Sequence, residues 1–488
     1  MLFTSPVFLF AFLPLTLAGY LIALRLGRPR LVTPWLLAAS MMFYAWWSPV
    51  FLALLVASTL VNWLCARAIE TRGKGEPGRK AIFIAGLVWN LGLLAVFKYA
   101  DFFIDTVDRL SGADWPLLHI ILPLGISFFT FQKIAYLADI HAGHATSGRL
   151  MDFALFVFFF PQLIAGPIVH HAEIMPQFRK IAAGHREGAL AEHLAVGLTL
   201  FVIGLFKKIV IADQVAPFST SVFEMAAAGK PIGLALGWQA ALAYTVQLYF
   251  DFSGYSDMAI GLARMFGVRM PANFDSPYRA ASIVDFWRRW HMTLSRFLRD
   301  YLYVPLGGNR SGPAARYRNL MIVMLLGGLW HGAGWTYVVW GGLHGLYLMI
   351  AHLWRDRVGL RLPAVLGWAL TMLAVILAWV FFRAPDMANA LNVLAGMTGR
   401  QGGASLAEGQ GQALVAIGAL LVAAAVLPNS QQILRAFRPV LDGVAEPAGV
   451  LARIRWRPTG AFGALVAAVF LTALMYSWKS SEFLYFQF

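Results

Sequence analysis

Two histidines carry the chemistry this sequence offers. His331 lies in Leu326-Gly327-Gly328-Leu329-Trp330-His331-Gly332-Ala333-Gly334-Trp335, a stretch otherwise suited to lipid. An ionisable side chain at membrane depth costs free energy, so it is expected to face a cavity or a polar partner. An apolar surround favours the uncharged imidazole, which leaves a ring nitrogen able to take a proton from an attacking hydroxyl. His331 therefore reads as a general base, with its neighbouring glycines allowing close packing or a backbone opening beside the ring. His291 lies in Asp285-Phe286-Trp287-Arg288-Arg289-Trp290-His291-Met292-Thr293-Leu294-Ser295-Arg296-Phe297-Leu298-Arg299-Asp300-Tyr301. At helical spacing Trp287, His291, Leu294, Leu298 and Tyr301 share one face, and Arg288, Arg296 and Arg299 another. The spacing predicts one amphipathic helix at the membrane surface, too charged to span. Lipid headgroups would account for the arginines but not for an inward histidine. Guanidinium groups forking onto phosphate oxygens beside it suit a phosphorylated carrier such as coenzyme A.

Other groupings carry less. Asp251 and Asp257, in Tyr249-Phe250-Asp251-Phe252-Ser253-Gly254-Tyr255-Ser256-Asp257, read as a structural polar network, with Arg264 as the expected partner of Asp257. His141 with His144 and His170 with His171 could be drawn as metal ligands. Neither pair has the HExxH or cysteine-rich context that makes a zinc site specific, so no metal is expected. The single cysteine, Cys65, excludes an intramolecular disulfide framework. No nucleophile elbow, P-loop or dinucleotide fingerprint is present.

The elements that must position these residues are membrane helices. The chain has 488 residues, 59% hydrophobic and 13% charged, with apolar runs near the length that spans a bilayer. The expected fold is all-α and polytopic, with about 11–12 transmembrane helices plus re-entrant and interfacial ones. The net charge of +15 is read through topology, because cytoplasmic loops collect Lys and Arg, and no nucleic-acid partner is expected. Arg25, Arg28 and Arg30 follow the run 7–24, which reads as an anchor with the amino terminus outside. After two more crossings, Arg67, Arg72, Lys74, Arg79 and Lys80 fall inside, and Asp101, Asp105, Asp108 and Asp114 fall outside after the run 82–97. A crossing is expected from 119 to 136. The run 153–169 is interrupted by Pro161 and Gly166-Pro167 and reads as re-entrant. Later runs near 195–214, 233–262, 318–331, 335–351, 363–382, 412–427 and 460–478 complete the count. The Gly- and Ala-rich stretch 385–411 is too sparse to be a sugar-binding module. No internal repeat is visible, which weakens a transporter with inverted symmetry.

The stretches Tyr249 to Asp257, Phe286-Trp287-Arg288-Arg289-Trp290-His291, Arg299-Asp300-Tyr301-Leu302-Tyr303-Val304-Pro305-Leu306-Gly307-Gly308 and Leu329-Trp330-His331-Gly332 together resemble the membrane-bound O-acyltransferase family. Within it the chain is similar to the alginate-type branch that acetylates exported polysaccharides. Residues 122–132, 160–168 and the terminal Phe483-Leu484-Tyr485-Phe486-Gln487-Phe488 extend the likeness nearly end to end. The resemblance implies one membrane-embedded domain, 1–488, with peripheral helices 1–110, a catalytic core 117–355 and C-terminal helices 362–488 around a central tunnel. It implies His331 as the catalytic histidine and His291 as the second active-site position, with the acyl donor approaching from the cytoplasm; the donor-facing role of Arg288, Arg296 and Arg299 rests on the reading of their helix face above.

The activity expected is transfer of an acetyl group from a cytoplasmic thioester, acetyl coenzyme A, toward an exported polysaccharide such as alginate, directly or through a periplasmic or membrane partner protein. No bound cofactor is expected, and the setting is a bacterial inner membrane and its lipid. Peptidoglycan O-acetylation and D-alanyl transfer to teichoic acid are the alternatives within the family. A polyol or sugar transporter and a lipid-binding scaffold are alternatives without chemistry.

Overall fold

The computed structural model describes all residues except 186, 404–409, 443, 448, 478–483 and 485–488. The terminal motif thus lies outside the described residues apart from Leu484, as does part of the 385–411 stretch. Among the described residues the chain is helical with no β-strand. This is what lipid demands of a backbone that must satisfy its own hydrogen bonds. Two compact units form: Met1–Ile203 with Tyr255–Pro271 and Ala436–Gly443, and Gly204–Gly254 with Ala272–Arg435 and Val444–Phe488.

The first unit holds α1 (Leu13–Arg25), α2 (Val32–Ala45), α3 (Pro49–Glu70), α4 (Pro77–Leu94), α5 (Ala100–Ser111), α6 (Ile126–Ala142), α7 (Leu150–Phe158), α8 (Phe160–Leu163), α9 (His171–Ala182) and most of α10 (Leu190–Phe206). Local chemistry sets the boundaries. Ser48 caps α3 by accepting the Phe51 amide at 3.4 Å, with Pro49 as first helical residue. Asn62 and Asn90 exchange side-chain hydrogen bonds of 3.2 and 2.6 Å, tying α3 to α4 without leaving a bare amide in the interior. The expected crossing at 119–136 is corrected: α6 begins only at Ile126. Pro123 precedes Gly125, whose φ of 74° a side chain would resist, and a methyl there would meet the Leu163 carbonyl at 2.9 Å. The interrupted run breaks as expected. Between α7 and α8, Phe159 leaves helical geometry, and residues 155–169 are all buried, so the irregular backbone is enclosed by protein.

The second unit continues from α10 through a π-turn, Lys207–Ala212, into α11 (Asp213–Ala227), and takes the first part of α12 (Leu234–Met265). Then follow α13 (Ile283–Arg289), α14 (Met292–Leu298), α15 (Gly312–His331), α16 (Trp335–Leu353), α17 (Ala364–Arg383), α18 (Met387–Met397), α19 (Gln410–Val426), α20 (Ser430–Ile433) and α21 (Gly460–Tyr476). Among the described residues five helical stretches are long and apolar enough to cross a membrane: Phe8–Arg25, Pro49–Glu70, Pro77–Ser111, Leu190–Ala227 and Ala364–Arg383. Met387–Met397, Gln410–Val426 and Gly460–Tyr476 are shorter apolar helices. The remaining runs expected to cross, α12, α15 and α16 among them, are helical and carry the buried polar residues described below.

The hairpin of α15 and α16 positions His331. The two helices meet backbone to backbone at Gly328 and Gly341, whose Cα atom and amide lie within 3.2 Å of where a methyl on Gly328 would sit. A methyl on Gly341 would strike the Met324 carbonyl. Gly341→Ala is accordingly expected to cost about 1–3 kcal/mol through overpacking. A lower thermal midpoint in detergent would show it, and a midpoint unchanged from wild type would refute it.

Candidate active site

His291 sits at a break. The single helix expected over 285–301 is two helices: α13 ends at Arg289 and α14 begins at Met292, with a π-turn, Arg299–Tyr303, beyond it. His291 itself is left-handed, at φ 43° and ψ 52°. The break is braced from a distant loop. Asp275 donates its amide to the Arg289 carbonyl at 3.0 Å and Met292 donates to the Asn273 carbonyl at 2.9 Å, so two main-chain bonds straddle the joint. The side chain of Asn273 completes it, its Oδ1 accepting from Thr293 Oγ1 at 2.9 Å and from the Thr293 amide at 3.5 Å. Left-handed geometry costs an ordinary residue about 1–2 kcal/mol, which these bonds offset. A helical period cannot reveal such a joint, because the pattern reads through it.

The same Asn273 oxygen lies 3.1 Å from His291 Nδ1. An oxygen already accepting from Thr293 accepts here too, which puts the proton on Nδ1 and leaves Nε2 as the basic nitrogen. His291 is fully buried, and burial pushes its imidazole down to about 3, so it is uncharged at neutral pH. Its ring packs edge-on to Phe252 at 4.7 Å. Asn273→Ala is expected to lower activity about tenfold or more by releasing ring and tautomer, with Asn273→Asp restoring the acceptor. Equal activity in wild type and Asn273→Ala would remove that role.

His331 is the last residue of α15, after which Gly332 turns extended. It is 4% exposed and packs against Trp330 at 5.0 Å, Trp340 at 5.1 Å and Phe382 at 5.2 Å. Its ring centroid lies 6.1 Å from that of His291. Two residues 40 positions apart are thus brought within the reach of one small reacting group. A third imidazole was not anticipated. His344 on α16 is fully buried between Trp340, at 4.8 Å, and Trp287, at 5.1 Å, and neither ring nitrogen has a hydrogen-bond partner among the described residues. It stands in Gly341-Gly342-Leu343-His344-Gly345, an apolar run, so the criterion that singles out His331 applies equally to it.

The arginines divide. Arg288 and Arg299 are exposed and Arg296 is half-buried. Arg299 pairs with Asp300 at 2.7 Å. Arg289 is the structural one, bonded to Asp285 at 3.0 Å and to Asp275 at 3.4 Å, which anchors the bracing loop.

The polar network differs from the expectation. Arg264 meets Glu192 at 3.0 Å and His193 Nδ1 at 2.9 Å, not Asp257. Asp257 lies seven residues back on the same helix, about 10 Å along the axis. It is buried. Asp251 is paired, with Lys208 Nζ at 2.6 Å, and Lys208 also meets Asp213 at 2.7 Å. The Leu484 amide donates to Asp251 at 3.2 Å. Of the histidines drawn as ligands, His141 stacks on Phe83 at 4.5 Å and His171 packs against Tyr136 at 4.9 Å.

Residues 141–392 match the model of the membrane-bound O-acyltransferase family, MBOAT, and this chain belongs to that family. It is 44% identical over 432 residues to the peptidoglycan O-acetyltransferase of Helicobacter pylori, covering 82% of this chain and 80% of the relative. To the "Probable alginate O-acetylase AlgI" of Pseudomonas aeruginosa it is 43% identical, covering 79% and 73%. A teichoic acid D-alanyltransferase of Bacillus subtilis is 27% identical over 48% of this chain and 62% of its own length. The chain is a membrane O-acetyltransferase.

Proposed function

We propose that this enzyme takes an acetyl group from acetyl coenzyme A on the cytoplasmic side of a bacterial inner membrane and passes it toward an exported polysaccharide such as alginate. It acts either directly or through a periplasmic partner protein. The observation carrying this reading is the pair of buried rings 6.1 Å apart, one of them held in a single tautomer by Asn273. In the step envisaged, the acceptor oxygen attacks the thioester carbonyl, His331 takes its proton, the C–S bond breaks and the proton held by His331 passes to the departing thiolate. His291 offers an acceptor nitrogen. Such a nitrogen orients a donor group of the substrate rather than donating to an oxyanion, so His291 serves in orientation. Arg288, Arg296 and Arg299 would hold the phosphates of the carrier.

The 44% identity to the Helicobacter pylori relative favours peptidoglycan as a second acceptor. Purified enzyme incubated with acetyl-labelled coenzyme A thioester, and separately with alginate oligosaccharides or peptidoglycan fragments plus export partners, discriminates them. Label is expected in the polysaccharide. Label confined to peptidoglycan would change the acceptor, and none in either would remove the reading.

A further inference from the structure

Arg30 and Arg67 converge, within the first unit, on one cavity of about 850 Å³ whose walls also carry Arg149 and Arg179. Its two carboxylates are occupied. Glu70 accepts from the amide of Ser147 at 3.2 Å and from its hydroxyl, and Asp152 pairs with Arg179 at 3.4 Å. Arg30, Arg67 and Arg149 have no carboxylate within ion-pair distance among the described residues, so the cavity keeps a positive excess. The floor is fixed rather than loose. Tyr136 Oη donates to the Ser147 carbonyl at 2.7 Å and Trp63 Nε1 donates to the Gly148 carbonyl at 3.3 Å. Arg67 lies over the Trp63 ring at 5.7 Å, which holds its planar group at the rim. Thr33 and Thr146 line the same space, while the Ser147 hydroxyl is taken up by Glu70.

Guanidinium groups present parallel N–H donors that match phosphate oxygens two at a time, and hydroxyls fill the remaining lone pairs. We propose that this cavity binds a phosphate group, carried either by an anionic phospholipid head or by a soluble phosphate ester. The site lies at the polar end of α3, the end that also bears the basic loop residues, which is the level at which lipid phosphates sit. It uses none of the residues assigned above to acetyl transfer, so it stands or falls separately from that reading.

The full chain in detergent is titrated with short-chain phosphatidylglycerol, with short-chain phosphatidylcholine and with pyrophosphate, followed by native mass spectrometry and thermal shift at two ionic strengths. Binding is expected to weaken at high salt and to fall at least about tenfold in Arg67→Gln/Arg149→Gln. It should persist in Arg25→Gln/Arg28→Gln, which removes the same charge outside the cavity. Saturable binding of phosphatidylglycerol above pyrophosphate identifies a lipid head, and the reverse order a soluble ester. No binding of either probe, or equal binding by both double variants, overturns the proposal.

Discussion

Replacing His331 with alanine, or with the nearly isosteric glutamine, is expected to lower acetyl transfer by a factor of about 10² to 10⁴ while the protein stays folded. The glutamine variant matters because His331 is 4% exposed among three aromatic rings, so alanine leaves a cavity as well as removing a base. Glutamine keeps most of the volume and a polar end but has no nitrogen basic enough to hold a proton. Single-turnover transfer of labelled acetyl, measured beside the thermal midpoint, separates chemistry from packing. Transfer undiminished in both variants would end the assignment of His331 as base.

Lys208→Met is expected to be the most destabilising single change described, by about 3–5 kcal/mol. Lys208 is 3% exposed and the carboxylates of Asp213 and Asp251 are 1% exposed, so removing the cation strands two acids in the interior. Removing the acids as well changes the outcome. Lys208→Met/Asp213→Asn/Asp251→Asn should recover much of the loss, since a buried ionic cluster often contributes little over a neutral one of similar shape. Thermal unfolding of the two variants checks this, and a single variant as stable as wild type would show that the cluster carries no such weight.

Much of the fold was legible because lipid leaves few options. Apolar runs of the right length became helices, and the runs at 363–382, 412–427 and 460–478 correspond closely to α17, α19 and α21. The candidate site was legible through one rule, that an ionisable group in an apolar run needs a reason. Applied to His331 it found a buried ring beside His291, and applied evenly it would also have found His344 and Lys208. Partners were the illegible part, because they are remote in sequence. Glu192 lies 72 residues from Arg264, and Asn273 lies 18 residues before the ring it orients. Periodicity sees neighbours on one helix, so it offered Asp257 to Arg264 and carried α13 through the His291 joint.

The Lys208 and Asp213 pair depends on how tightly its helix is wound. Five residues along an ordinary α-helix return about 140° away from the starting direction, which would point the two side chains apart. Here Asp213 donates its amide to the Lys208 carbonyl, the i to i+5 bond of a π-turn, and that wider loop brings both charges to one side. A π-turn is equivalent to one extra residue accommodated without breaking the helix. Loss of one residue between 208 and 213 would restore ordinary winding with the lysine and the aspartate four apart, a spacing that still sets them on one face, so the pairing survives a deletion there but not a rewinding at the present length.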